Sequence, residues 1–125
     1  MAKISAANMC GKLAPTDFGA MSKQRLLSMF ALARKAGKLT AGEEGCEKAL
    51  RGGAALLVHV ARDASANTRK KFGNKANFYE TPIYSIFTKE EINRHIGLHN
   101  RATFVVTDEN FARKIMEIIE ELQPL

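Results

Sequence analysis

A run of apolar residues over positions 55–61 constrains the fold of this chain more than any other feature. It reads ALLVHVA, follows the pair Gly52-Gly53 and ends at a charged turn that starts at Arg62. A strand that is apolar on both of its faces is typical of the middle of a sheet that helices cover on both sides. The run therefore predicts a central strand in an α/β domain.

Helical and extended patterns alternate on both sides of this run. Helices are predicted from an N-cap at Ser22 to Ala36, from Gly42 to the Gly52-Gly53 pair, after the turn at 62–65, between a Thr88/Glu91 capping box and Gly97, and after Asp108. Extended segments are predicted at 39–41, 83–87 and 102–107. The third helix is predicted to bury Thr68, Phe72, Ala76 and Tyr79, and the last to bury Phe111, Ile115, Ile118, Ile119 and Leu122. This order predicts a sheet with helices packed on both faces.

The chain has 125 residues, 46% of them hydrophobic, which indicates a single packed domain. Residues 1–21 show no periodicity and are predicted to be a disordered leader before a domain at 22–125. No segment is apolar for long enough to cross a bilayer or to act as a signal peptide, so we expect a cytoplasmic protein. Cys10 and Cys46 lack the spacing of a redox or zinc site, and Cys46 is predicted to be a small core residue.

Positive charge is concentrated in two stretches. Residues 23–51 carry seven Lys or Arg against three Glu, and residues 62–75 carry five against one Asp. Residues 108–125 instead carry two against five acidic side chains, in a chain whose net charge is +6. A basic part beside an acidic last helix is the pattern expected of a protein that binds a polyanion.

No catalytic or metal-binding motif is present. The sequence has no nucleophile elbow, no phosphate-binding loop with a Walker lysine and no dinucleotide-binding glycine pattern. His59 falls inside the predicted strand, and Gly97 separates His95 from His99, which argues against a shared metal site. Asp63 and Asp108 are predicted helix N-caps. We therefore expect no enzyme activity, no cofactor and no metal.

The second predicted helix offers the best candidate binding surface. Gly42 leaves free N–H groups at the helix start, and Glu44, Lys48 and Arg51 follow on one face. Cations there suit backbone phosphates, and a carboxylate suits the amino groups of bases. The alternative is a solvated helix held by Glu44–Lys48 and Glu47–Arg51 ion pairs, which the spacing alone favours.

Several blocks in order give the chain a family resemblance. They are GEEGCEKALRGG, AALLVHVARDAS, FYETPIYSIFTKEEINRHIG and RATFVVTD. They resemble the kink-turn RNA-binding ribosomal proteins of the L-seven-Ae and L-thirty-e type, and most closely their small bacterial YlxQ-like branch. The resemblance covers residues 23–122. It implies a three-layer α/β/α sandwich, with a small mixed four-stranded sheet, that grips sharply bent RNA.

The resemblance also implies where the RNA contacts lie. The family motif runs from a glycine at the start of the second helix through an Asn-Glu pair to a lysine, and Gly42 and Lys48 match its ends. Glu44 and Gly45 replace the Asn-Glu pair. Position 44 therefore has no amide donor, and position 45 has no side-chain acceptor. This predicts either poorer reading of tandem guanine–adenine pairs or a variant RNA ligand. The loop at 98–102 resembles the family's second contact, and Arg101 there suits a base or a phosphate.

The leading hypothesis is a non-catalytic, monomeric RNA-binding protein associated with translation or the ribosome. Alternatives are a protein–protein adaptor on the ribosome or the transcription machinery, working through the acidic last helix or the Glu43–Glu47 face, and a substrate-binding partner of an RNA-modifying enzyme. Arg69, Lys70 and Lys71 are candidates for peripheral electrostatic attraction. The predicted RNA-binding residues are Lys38, Gly42, Glu43, Glu44, Lys48, Arg51, Leu98, His99, Asn100, Arg101 and Ala102.

Overall fold

The structure, a computed structural model, describes residues 17–121, with side chains from residue 22 onward. Helices and strands alternate along this part of the chain. In order they are α1 (Asp17–Lys35), β1 (Leu39–Ala41), α2 (Glu43–Arg51), β2 (Leu57–Val60), α3 (Ala66–Phe78), β3 (Ile83–Tyr84), α4 (Lys89–Ile96), β4 (Thr103–Val106) and α5 (Glu109–Glu121).

The strands form one mixed four-stranded sheet in the order β1-β4-β2-β3. β4 runs antiparallel to both β1 and β2, whereas β3 runs parallel to β2. β2 is thus an inner strand, and all four of its residues are buried, as the apolar run predicted.

Two hydrophobic clusters cover the two faces of the sheet. On one face Leu57, Phe104 and Val106 pack with side chains of α1, α4 and α5. On the other face Val58, Val60 and Val105 pack with side chains of α2 and α3. This confirms the three-layer α/β/α sandwich, and it places α2 and α3 side by side on one outer surface.

Helix α1 starts earlier than the sequence predicted. It begins at Asp17, and Ser22 lies inside it with only 1% of its surface exposed, so the predicted Ser22 N-cap is wrong. Packing against the core outweighs the preference of serine for a helix start. Residues 1–16 lie outside the described part of the chain, as do Cys10 and Leu122, and the disordered leader stays a prediction.

The end of α3 and strand β3 also differ from the prediction. Tyr79 is 38% exposed because α3 ends at Phe78, and the chain leaves the helix before Tyr79 can face the core. β3 stops at Tyr84 instead of continuing to Phe87. The N–H groups of Ile86 and Phe87 donate to Nε2 of the buried His59, at 3.0 and 3.1 Å, instead of to a strand.

Four other local signals are confirmed. Thr88 and Glu91 form the predicted capping box, and Gly97 closes α4 in the left-handed conformation. The carboxylate of Asp108 accepts from the N–H of Phe111 at 3.1 Å at the start of α5. Cys46 is fully buried, which raises the pKa of its thiol to about 11.

Within residues 17–121, no helix combines the length and apolar character that a membrane span requires.

Candidate nucleic-acid interface

The start of α2 is open to a ligand. Gly42 is its N-cap with a φ of 100°, a conformation that side chains rarely adopt, and its own N–H donates to the carbonyl of Thr103 at 3.0 Å. No side chain caps the first turn. The positive end of the helix dipole and the free N–H groups therefore face outward beside Glu43 and Glu44.

The predicted loop contact lies directly against this helix start. A Cβ atom placed on Gly42 would lie 3.4 Å from Nη1 of Arg101, so the guanidinium lies close to this glycine. The register of β1 with β4 produces this arrangement, because Ala41 pairs with Phe104 and Gly42 with the adjoining Thr103. Two segments that are far apart in the sequence thus form one surface.

Asn93 of α4 fixes the loop in place. Its amide Nδ2 donates to the carbonyls of Lys89 and Arg101, at 2.7 and 2.9 Å, and its Oδ1 accepts from the N–H of Arg101 at 3.2 Å. Asn93 is buried. Sequence reasoning missed this residue because a lone asparagine late in a helix gives no signal of what it will bond.

The five predicted loop residues divide into anchors and exposed side chains. Leu98 packs against the core beneath α1, α4 and α5, and Ala102 packs against the cluster beneath α2 and α3. His99, Asn100 and Arg101 are exposed between them, with Asn100 at a φ of 53°. The loop therefore exposes three polar side chains, of which Arg101 lies beside Gly42.

The exposed face of α2 carries Glu44, Lys48 and Arg51, and none of the ion pairs in the described part of the chain involves them. The alternative pairs Glu44–Lys48 and Glu47–Arg51 do not form. Lys71 of α3 instead pairs with both Glu43 and Glu47, at 3.4 Å from the first. These contacts lower the pKa of Glu47, chiefly through the Lys71 hydrogen bond, and raise that of Lys71, chiefly through Glu47.

Glu43 is held more tightly than Glu44. One of its carboxylate oxygens accepts from Thr68 Oγ1 at 3.0 Å, and the other faces Lys71. Of the two glutamates that were predicted to contact bases, Glu44 is therefore the better placed, because it is exposed on the outer face.

The glycine at position 45 has a packing reason. A Cβ atom there would lie 2.8 Å from Cγ2 of Thr40 in β1, a distance that real Cβ atoms do not tolerate. Gly45 therefore lets α2 lie close against the sheet. The glutamate that the resembling motif carries at this position does not fit without a shift of one element.

Lys38 lies apart from this surface. It precedes β1, and its carbonyl accepts from Thr107 N at the end of β4 remote from Arg101. At about 3.3 Å per residue, it is roughly 13 Å along the strand from Gly42. Lys38 is exposed and is placed to add long-range attraction instead of a contact beside Gly42.

His59, His95 and Asp63 have structural partners. Burial lowers the pKa of His59 to about 3, and its Nε2 accepts the two N–H groups of the turn after β3. His95 Nδ1 lies 3.1 Å from the carbonyl of Glu91. Asp63 accepts from Lys89 N at 2.9 Å in the first turn of α4, whose N-cap is Thr88. Ser65 is the N-cap of α3, so the N-cap predicted at Asp63 is wrong. Among residues 17–121, no group of His, Cys, Asp and Glu is arranged to hold a metal ion.

Together the fold and the surface define a class: a small α/β/α domain that presents an open helix start, a neighbouring loop with an arginine, and a basic helical layer. The sequence model described as the Ribosomal protein L7Ae/L30e/S12e/Gadd45 family matches residues 24–117. The chain belongs to this family.

Two bacterial relatives named RNA-binding protein YlxQ match almost over their whole length. The one from Enterococcus faecium is 40% identical over 99 residues, which are 79% of this chain and 95% of the relative. The one from Bacillus subtilis (strain 168) is 34% identical over 100 residues, which are 80% of this chain and 100% of the relative.

Two solved structures share the fold. A protein of unknown function from Bacillus halodurans C has a TM-score of 0.73 and 35% identity, and the match covers 76% of this chain and 96% of that one. The Giardia lamblia 15.5kD RNA binding protein has a TM-score of 0.67 and 16% identity, with 91% and 97% covered. The second likeness concerns the fold alone.

Proposed function

We propose that this protein is a non-catalytic RNA-binding protein that grips kink-turn or similarly bent RNA. RNA binding follows from its family and from the two relatives that bear the name RNA-binding protein. The observation that supports a bent ligand is the contact between Gly42 and Arg101. At this corner the start of α2 meets the loop at 98–102, and we infer that two arms of a bent RNA are contacted there at once.

Each side chain of this corner has a chemical task in the proposal. Phosphate lies against the N–H groups of the first turn of α2, where the helix dipole favours negative charge. Lys48 and Arg51 hold the backbone of the same arm through charge-assisted hydrogen bonds. Glu44 accepts hydrogen bonds from exocyclic amino groups of bases, and Arg101 stacks on or pairs with the nucleotide at the bend.

Glu44 and Gly45 distinguish this site from the motif it resembles. A carboxylate accepts hydrogen bonds but donates none, so a base edge that offers an acceptor is disfavoured opposite Glu44. Gly45 contributes no side chain because Thr40 occupies the space. We infer that the ligand is a kink-turn variant whose bend places amino groups against the start of α2.

The adaptor alternative has less support. Of its two predicted surfaces, the acidic last helix and the Glu43–Glu47 face, the second has both carboxylates already engaged by Lys71 and Thr68. We also propose that the protein is cytoplasmic, monomeric and associated with the ribosome, because the family suggests a translation-associated RNA as the ligand.

A titration with three RNAs tests this function. A kink-turn, a stem-loop and a straight duplex of equal length are bound at two salt concentrations. We expect the kink-turn to bind most tightly at both, and each affinity to fall with salt because phosphate contacts release counterions. Equal and weak affinity for all three RNAs would leave only non-specific charge attraction and would contradict the proposal.

A further inference from the structure

Helix α3 ends in the most exposed aromatic side chain of the described residues. Phe78 is 77% exposed and Tyr79 is 38% exposed. The two rings meet edge to face with their centroids 4.9 Å apart. A phenylalanine this exposed leaves nearly a whole ring face available to a ligand.

The aromatic pair is held rigidly. The N–H of Tyr79 donates to the Lys75 carbonyl at 3.0 Å, that of Glu80 to Asn77 at 3.2 Å and that of Thr81 to Ala76 at 2.8 Å. These bonds satisfy the carbonyls at the helix end, so the rings lie on an ordered terminus instead of a loose loop.

The helix that carries the pair is basic, and the first acidic residue, Glu80, follows Tyr79. Helix α3 contains Arg69, Lys70, Lys71 and Lys75 and no acidic residue. Asn67, Lys71, Asn74 and Phe78 recur at helical spacing and are all exposed, so they form one stripe that we call the α3 stripe. A stripe of amides, an ammonium group and an aromatic ring, without carboxylates, complements a nucleic acid strand.

The α3 stripe continues the surface of α2. Lys71 of α3 pairs with Glu43 and Glu47 of α2. The positive charges of Lys75 and Arg51 also lower the pKa of Glu47. Cations of both helices thus lie around a single carboxylate. The stripe leads from that cluster to Phe78, about 10 Å along the helix axis from Lys71.

We propose that the α3 stripe is a second RNA contact, on which an unpaired nucleotide that flanks the bent core stacks against Phe78. Asn74 of the stripe and the neighbouring Lys75 contact the backbone of that nucleotide. This inference rests on the proposed function. It adds a preference for RNA with a single-stranded extension, which the corner at Gly42 and Arg101 alone does not provide.

The test compares one kink-turn RNA without an extension with the same RNA carrying a short purine tail at either end. Phe78→Ala is expected to lose about five- to 150-fold in affinity for one tailed RNA, the range for one base–aromatic stack, and to bind the untailed RNA like the wild type. Phe78→Leu should behave like Phe78→Ala, and Phe78→Trp should retain binding. Leu32→Ala, at an exposed apolar residue of α1, is the matched control and should bind both RNAs normally.

Unchanged affinity of Phe78→Ala for both tailed RNAs would overturn the inference, and the aromatic pair would then serve a protein contact or none. Retained binding by Phe78→Leu would also overturn it, because a stack needs a ring. The proposed function is judged separately, by wild-type binding to the untailed RNA. If that binding fails, both the function and this inference fall.

Discussion

Gly45 lies where α2 passes closest to strand β1. The position faces Cγ2 of Thr40, and a β-branched side chain has little freedom to rotate away. The absence of a side chain at position 45 is therefore a packing requirement, and it sets the distance of α2 from the sheet. The effects of substitutions at Gly45 and Thr40 on stability should therefore be coupled.

A double-mutant cycle tests this contact. We expect Gly45→Ala to lower the free energy of unfolding by about 1 kcal/mol, since the clash exceeds the helix propensity gained. In a Thr40→Ser background, which lacks Cγ2, the same change should raise the free energy of unfolding by about 1 kcal/mol. Urea denaturation measures both. Gly73→Ala in α3, where nothing lies within 4 Å of the added Cβ, is the control and should stabilise the protein. Equal effects of Gly45→Ala in both backgrounds would refute the clash.

The buried His59 makes stability depend on pH. Burial lowers its folded-state pKa to about 3 from an ordinary 6.5, so the unfolded chain binds a proton that the folded chain does not. The contribution of His59 to stability is therefore complete above pH 6.5 and is lost as the pH falls toward 3. We expect the free energy of unfolding to fall by up to about 1.4 kcal/mol per pH unit in that window from this group.

Proton NMR isolates the histidine from the carboxylates. The ring protons of His59 should keep their chemical shifts from pH 7 to about pH 4 in the folded protein. A titration of these resonances near pH 6.5 would show that the imidazole is protonated in the native state, contrary to its burial against the N–H groups of Ile86 and Phe87.

At the scale of elements, α4 positions the loop at 98–102, which we propose contacts RNA, through one side chain. The amide of Asn93 donates to the carbonyl of Arg101 and accepts from its N–H. Asn93 itself has almost no exposed surface to offer a ligand. Its effect on binding is thus indirect, through the place of the Arg101 guanidinium beside Gly42.

Asn93→Ala should cost about 1–3 kcal/mol of stability, because buried carbonyls lose their donor, and should also weaken RNA binding. Lowering the temperature until the variant is fully folded separates the two effects. Asn77→Ala, an exposed asparagine of α3, is the control and should alter neither quantity by much. Normal RNA affinity of the folded Asn93→Ala protein would show that the loop is placed without this residue.

The elements that the sequence predicted well are those with local causes. The capping box at Thr88 and Glu91, the left-handed Gly97 and the apolar β2 each depend on neighbours in the sequence. The early end of β3 could not be foreseen, since it depends on Nε2 of His59 meeting N–H groups 27 and 28 residues away.

The candidate site divides in the same way. Gly42, Lys48 and Arg51 were recognisable from their spacing, but the choice between a salt-bridged helix and a free surface depended on Lys71 of another helix. Likewise, the contact of Arg101 with Gly42 follows from the pairing of β1 with β4, which no local pattern specifies.

For the whole molecule, the layer of α2 and α3 carries the larger positive charge: six cations against three Glu, whereas α1, α4 and α5 together carry eight cations against seven acidic side chains. Helix α3, with four cations and no acid, lies on one side of the sheet, whereas α5, with four Glu against two cations, lies on the other. Such an asymmetry orients the protein toward a polyanion as it approaches. The layer of α2 and α3 should therefore meet RNA first.

Matched double variants test which layer meets the RNA. Lys48→Ala with Arg51→Ala on α2 and Lys114→Ala with Arg113→Ala on α5 remove the same charge from exposed positions. Only the α2 pair should flatten the plot of log affinity against log salt, by about one for each phosphate that the variant no longer neutralises. Identical slopes for the two variants would mean that net charge, not the α2 surface, governs binding.

The central claim is that this protein grips RNA in a bent form through the corner of α2 and the loop at 98–102. Fluorescence energy transfer between dyes on the two arms of a kink-turn, in a buffer without divalent cations, measures the bend directly. We predict that the wild-type protein raises the transfer efficiency to a saturating value, and that the α2 pair Lys48→Ala with Arg51→Ala does so only at much higher concentration. Saturable binding by the wild type with no rise in transfer would contradict the claim.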